Sequence, residues 1–188
     1  RKATDHVAGL SYAGAAIAAL HAGDLVTLFI WWEATAVTSV FLILASGTQR
    51  ARRAAMRYLI VQVASGVLLL AGAAMLYSES GSLAFAGMTL GSTGTWMIFI
   101  AFGIKAAFPL LNGWLQDAYP EATVVGTVVL SSFTTKLAIY ALARGFAGTD
   151  LLILIGCLMT AFPVFFAVIE NDMRRVLAYS LNNQLGFM

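Results

Sequence analysis

The sequence predicts an all-α membrane protein, a polytopic transmembrane helix bundle with a discontinuous helix. Three observations carry that expectation. Of 188 residues, 60% are hydrophobic and 11% charged, with a mean hydropathy of +0.85, whereas a soluble domain carries about 25% charged residues. The apolar residues fall in long runs, as a bilayer core demands of helices of about 20 residues. Lys and Arg crowd at alternate ends of those runs.

The net charge of +2 supplies no clustered basic face, so no nucleic-acid partner is expected. The single cysteine, Cys157, excludes an intrachain disulfide and a cysteine-built metal cluster. It is expected to be a small buried residue. The chain starts at Arg1 with no signal-peptide pattern, and the stretch 176–188 is too short to span. Both features read as an internal piece of a larger membrane protein.

The spans are marked in order by their boundaries. The first runs over 6–22, with His6 and His21 near its ends. The second, 25–45, opens on Asp24, a residue type that caps helix N-termini. The third, 58–77, follows Arg50, Arg52, Arg53 and Arg57 and ends in a Gly/Ser-containing loop, 78–94. The fourth, 95–108, meets Pro109 and then Asn112, Trp114, Gln116 and Asp117. Proline removes a donor and breaks the helical ladder. A break at membrane depth requires cover by protein or a water-filled cavity. The expected form is one half ending near Phe108 and an amphipathic half running to about Ala118. The fifth span is 123–143, the sixth 151–169, and a truncated seventh starts near Val176. Residues 1–188 thus read as a single transmembrane domain fragment.

Lys and Arg placement gives the orientation. Arg1 and Lys2, the four arginines before span three, and Arg174 and Arg175 all fall on one side if the spans alternate. That side is cytoplasmic by the positive-inside rule. Arg144 falls outside.

Glu33, Lys105 and Lys136 lie within predicted spans. Each costs roughly 3 kcal/mol at the bilayer centre on insertion scales. Such residues face the bundle interior, pair with one another or line an ion path. All three fall at similar, mid-membrane depth. Thr35, Thr38 and Ser39 follow Glu33, and Thr134 and Thr135 precede Lys136. Burial disfavours the charged form of a lysine or a carboxylic acid, and pairing restores it. Making and breaking a Glu–Lys pair is therefore a proton switch, and a row of such sites is a lateral relay. Structural ion pairs are the alternative, but two lysines against one visible carboxylate make poor staples. His6 and His21 sit at span ends. Asp117 and Glu121 flank Tyr119 and Pro120, as caps or as an ion entry. No glycine-rich phosphate loop, His/Cys metal spacing or nucleophile elbow is present. No cofactor, metal or catalytic residue is expected.

Four segments carry a resemblance: LFIWWE at 28–33; GIK at 103–105 with FPLLNGWLQDAYPEA at 108–122; FTTK at 133–136 with YALAR at 140–144; and NDMRRVLAYS at 171–180 with QLG at 184–186. Together they resemble the antiporter-like membrane subunits shared by Mrp-type cation/proton antiporters and respiratory complex I. The resemblance implies a fragment of a larger inverted-repeat transporter fold, roughly helices four to ten, with the first inverted repeat near 24–145. It implies that Glu33 faces Lys105 at a helix break and that Lys136 continues the relay. It implies other subunits as partners, a lipid setting in the bacterial plasma membrane, and protons as cargo, with Na+ in the antiporter case. Asn112 stands where the family usually has His, and Gln116 where it usually has Pro; Asn cannot titrate. The YPEAT run and the Asn182–Asn183 pair look more like the D-type component of the Mrp antiporters. A proton-pumping subunit of complex I or of a related membrane hydrogenase is the alternative, and an inert membrane scaffold the second.

Overall fold

Five of the helices begin where a short polar side chain satisfies a free N–H group. The computed structural model describes residues 2–188, which form eight helices with no strand among the described residues. These are α1 (Lys2–Leu20), α2 (Leu25–Leu44), α3 (Gln49–Ser80), α4 (Thr93–Lys105), α5 (Gly113–Ala118), α6 (Val124–Gly145), α7 (Asp150–Ile169) and α8 (Met173–Phe187). Arg1 and the Lys2 side chain, counted among the inside charges, lie outside the described residues. Asp24 caps α2, Thr48 α3, Ser92 α4, Thr123 α6 and Asp172 α8. Asp24 does so twice over, accepting from the Thr27 amide at 2.8 Å and hydroxyl at 2.7 Å. Those bonds, the hydroxyl's first, hold its carboxyl below the usual carboxylate range. Thr123 caps α6, so neither Asp117 nor Glu121 does.

Helices α2, α3, α6 and α7 are long and apolar enough to cross a membrane by length and composition. Helix α3 departs from expectation. Its 32 residues are about 48 Å long at 1.5 Å per residue, well beyond a hydrocarbon core of about 30 Å. The four arginines expected in a loop occupy its first turns, where Ala and Arg favour helix.

The discontinuous helix is present, but its first half ends at Lys105, three residues before the expected Phe108. Ala107 takes φ 61°, the Phe108 amide donates to Gly103 O at 2.9 Å, and the Ala107 amide donates to Ile104 O at 3.2 Å. This is a Schellman closure with alanine in the place usually held by glycine. The Phe108 ring folds over Gly103, where a Cβ would collide with it. Leu110, at φ 70°, carries the chain on to α5.

Two apolar clusters fill the interior. One holds Trp32, Phe85, Phe99, Phe102 and Phe146, and the other holds Ile43, Tyr58, Trp114, Tyr119 and Leu130. Helices α3 and α4 approach closely at Gly72 and Gly94, and α7 and α8 at Gly156 and Gly186, as small residues allow in membrane bundles. Around the first cluster the connections are laced together. Leu25 and Phe85 amides donate to Leu83 O and Gly23 O, both at 2.9 Å. Arg144 donates to Ala22 O at 2.8 Å and lies over the Phe85 ring.

Cys157 corrects an expectation: it is exposed on α7, not buried. Most of α7's surface is open, with Phe165 73% and Val168 80% exposed. The usual burial preference of cysteine reflects avoidance of water, and an apolar helix face suited to lipid exerts no such pressure.

Candidate functional site

Between the two apolar clusters runs a band of buried polar side chains: Thr35 and Ser39 on α2, Gln62 and Ser65 on α3, and Thr134 and Thr135 on α6. Lys105 enters this band from the broken end of α4 and is fully buried. Its Nζ donates to Trp32 O at 2.9 Å and to Thr35 Oγ1 at 2.7 Å, and lies 4.1 Å from the centre of the Trp32 ring. Three features make the location tolerable for an ammonium. It has direct acceptors, it faces an aromatic π surface, and it projects from a helix C-terminus, where the macrodipole favours a cation. The break supplies the third, so the loss of helical ladder at Lys105 is part of the site.

Two carbonyls of the last turns of α4 accept a second hydrogen bond from across the bundle. Ile104 O accepts from Trp114 Nε1 at 2.9 Å, and Ala101 O accepts from Ser65 Oγ at 2.8 Å. Ser65 in turn accepts from Trp32 Nε1 at 3.0 Å. Trp32 is thereby locked in orientation, and its face holds Lys105.

Glu33 shares the α2 turn that Lys105 grips and lies within electrostatic range of it. The two do not form an ion pair. Among the described residues the ion pairs are Arg57–Asp117 at 3.0 Å and Arg175–Glu170 at 3.8 Å. The Glu33 carboxylate instead packs on Gly66 of α3, and one of its oxygens is buried without a hydrogen-bond partner. The structure therefore brings Glu33 and Lys105 to one turn of α2 without an ion pair between them. Lys136, half-buried on α6, has no hydrogen bond or ion pair with the described residues. Its neighbours Thr134 and Thr135 are buried, and Thr135 Oγ1 is unpartnered.

Other sequence candidates fall elsewhere. His6 and His21 are exposed, and His21 bonds locally to Ile17 O at 2.9 Å. Asp117 ties α5 to α3 through Arg57. Asn112 lines a cavity of about 370 Å³ between the break and α7, together with Asn182 and Pro163. Gln116 is buried with its Nε2 unpartnered. Sequence reasoning missed Gln62, Ser65, Tyr58 and Tyr12. The first three recur on α3 at helical spacing, which is the signal that could have found them.

Residues 22–188 match the family model described as NADH:quinone oxidoreductase/Mrp antiporter, TM. The chain belongs to this family. Family and apolar helices together make it an integral membrane protein. The chain is 30% identical over 186 residues to the D component of the Na(+)/H(+) antiporter of Alkalihalophilus pseudofirmus, covering 88% of this chain and 38% of that one. It is 32% identical over 187 residues to the N component of the NADH-quinone oxidoreductase of Desulforudis audaxviator, covering 88% and 37%. A chain of the Mrp complex from Dietzia sp. DQ12-45-1b superposes with a TM-score of 0.86 at 27% identity, over 95% of this chain and 37% of that one. The chain thus spans little more than a third of the length of these relatives.

Proposed function

We propose that this chain is the proton-translocating core of an antiporter-like subunit within a multisubunit membrane complex. Glu33 and Lys105 are its switching pair, and Lys136 is the next station. One observation carries this reading: a fully buried lysine at a helix break, held on the α2 turn that bears Glu33. In the open arrangement Lys105 rests on Trp32 O, Thr35 and the indole face, and Glu33 on Gly66. A rotamer change of either side chain closes the pair and stabilises both charges. Opening it returns the ammonium to weaker neutral acceptors, from which proton release is easier. Lys136, half-buried and without a partner among the described residues, is suited to accept next. We read α2 to α6 as the first of two inverted repeats.

Na+/H+ exchange of the Mrp type is our preferred coupling, and the bacterial plasma membrane our preferred location. The similarity to a Na(+)/H(+) antiporter component supports both. The 32% identity to an NADH-quinone oxidoreductase component supports the second reading, in which quinone reduction drives the same relay.

The test is proton transport by vesicles holding the full-length assembled complex with Lys105→Ala. Transport is expected to vanish while assembly persists. Persisting transport would make Lys105 structural. A Na+ gradient and a quinone reductant, applied separately to the unmodified complex, distinguish the two couplings.

A further inference from the structure

Two neighbouring residues of α2 compete for the Lys105 ammonium, and both are seated on two neighbouring residues of α3. Trp32 is one. Its ring centre lies 4.1 Å from Nζ, and its indole N–H donates to Ser65 Oγ at 3.0 Å. Glu33 is the other, and its carboxylate rests on Gly66. A Cβ at Gly66 would fall on that carboxylate, so the seat exists because no side chain fills it. Ser65 and Gly66 thus serve the two rivals separately. The first gives a hydroxyl to the indole, and the second gives room to the carboxylate.

The indole is held by more than packing. A buried indole N–H takes a hydrogen-bond acceptor, and Ser65 is that acceptor. The same hydroxyl donates to Ala101 O of α4 at 2.8 Å. Phe102, the next residue, packs on the Trp32 ring at 5.2 Å between centroids. Trp32, Ser65 and Lys105 are all completely buried. One hydroxyl therefore ties the indole of α2 to the last turns of α4, the helix that delivers Lys105. The π face cannot tilt away from the ammonium without breaking that tie. Once desolvated, a tryptophan face attracts a cation more strongly than a phenylalanine face does.

We infer that Trp32 is the counterweight to Glu33: its indole holds the ammonium whenever the pair is open, and Ser65 is the positioning residue that aims it. A two-state switch turns over readily only if neither state is much the stronger. An ionised Glu33 set against neutral acceptors alone would keep the ammonium to itself. The π face adds to Trp32 O and Thr35 Oγ1 a second place to rest that carries no countercharge. The step is a side-chain movement in which no covalent bond forms or breaks. The inference rests on Glu33 and Lys105 being the relay pair proposed above.

The experiment reads proton uptake with a pH-sensitive dye, in vesicles holding the full-length chain in its assembled complex. Trp32→Phe weakens the indole arm, and Glu33→Asp shortens the carboxylate arm by one methylene. Each alone is expected to slow transport about fivefold or more, because the ammonium stays on the arm left intact. The double variant is expected to run faster than the slower single one, since weakening both arms restores the balance. Ser65→Ala is expected to slow transport about twofold to fivefold and to be rescued by Glu33→Asp in the same way. Trp96→Phe, at an exposed position on α4, is expected to transport normally. Double variants no faster than their slower single ones, with Lys105→Ala inactive, would make Trp32 and Ser65 packing residues; the inference would fall and the relay stand. Full-rate transport in Trp32→Phe would also overturn it. Normal transport in Lys105→Ala would remove relay and counterweight together. Should Trp32→Phe fail to assemble, Ser65→Ala with and without Glu33→Asp decides alone.

Discussion

A charge within an apolar run is legible because it is expensive, and Glu33, Lys105 and Lys136 stand out by their positions within predicted spans for that reason. What they touch was not legible. Lys105 is held by a backbone carbonyl and an indole face of α2, contacts that depend on where α4 stops. Gln62 and Tyr58 passed unremarked because an uncharged polar residue in a span carries a smaller penalty and so a weaker signal. Gly66 was equally silent, yet its missing side chain makes room for the Glu33 carboxylate. Gly66→Ala would put a methyl group on that carboxylate and force it to move. If Glu33 must meet Lys105 in a set geometry, a displacement of this kind slows transport by roughly tenfold to a hundredfold. The matched comparison is Gly9→Ala, whose added Cβ meets nothing within 4 Å. Equal transport by the two variants in assembled complexes would mean that the position of the carboxylate is immaterial.

At the scale of the element, Pro109 announced the interruption of α4, and the end of α5 at Ala118 agrees with expectation. The point of the break did not follow from proline. It is set by Phe108 folding back over Gly103 and by Trp114 taking the carbonyl of Ile104, contacts made only once the bundle is assembled. The closure holds Ala107 at φ 61°, a conformation that costs a side-chain-bearing residue about 1 kcal/mol or more. Ala107→Gly relieves that strain and gives back part of the gain as unfolded-state entropy. The expected net effect is a stabilisation of about 0.5–1 kcal/mol, seen as a raised midpoint of thermal unfolding in detergent. Gly103→Ala is expected to lower the midpoint, because the Phe108 ring must leave its seat. A lowered midpoint in Ala107→Gly would show that the left-handed turn is not under strain.

At the scale of the whole molecule, hydropathy and basic-residue placement made the bundle legible, but not its division into two apolar halves with a polar waist. That division arises from antiparallel packing. Trp32 and Ser39, two turns apart on α2, meet Ser65 and Tyr58 in reverse order on α3, so buried polar groups from distant segments face one another between the two apolar halves. The same packing gives the bundle two distinct ends. The α2–α3 turn and the arginines of α3 lie at one end of α3; the segment after Gly81, laced to α1 and α6, lies at the other. If the positive-inside rule governs insertion, these ends face opposite compartments. The check is to replace Cys157 by serine and introduce a single reporter as Gln49→Cys or Gly87→Cys, both at exposed positions. A membrane-impermeant maleimide applied to right-side-out vesicles should label the Gly87→Cys variant and spare Gln49→Cys, with the pattern reversed in inverted vesicles. Labelling of both from one side would mean that α3 does not cross the bilayer. A uniform reversal would keep the architecture and place the arginine-bearing end on the outer face.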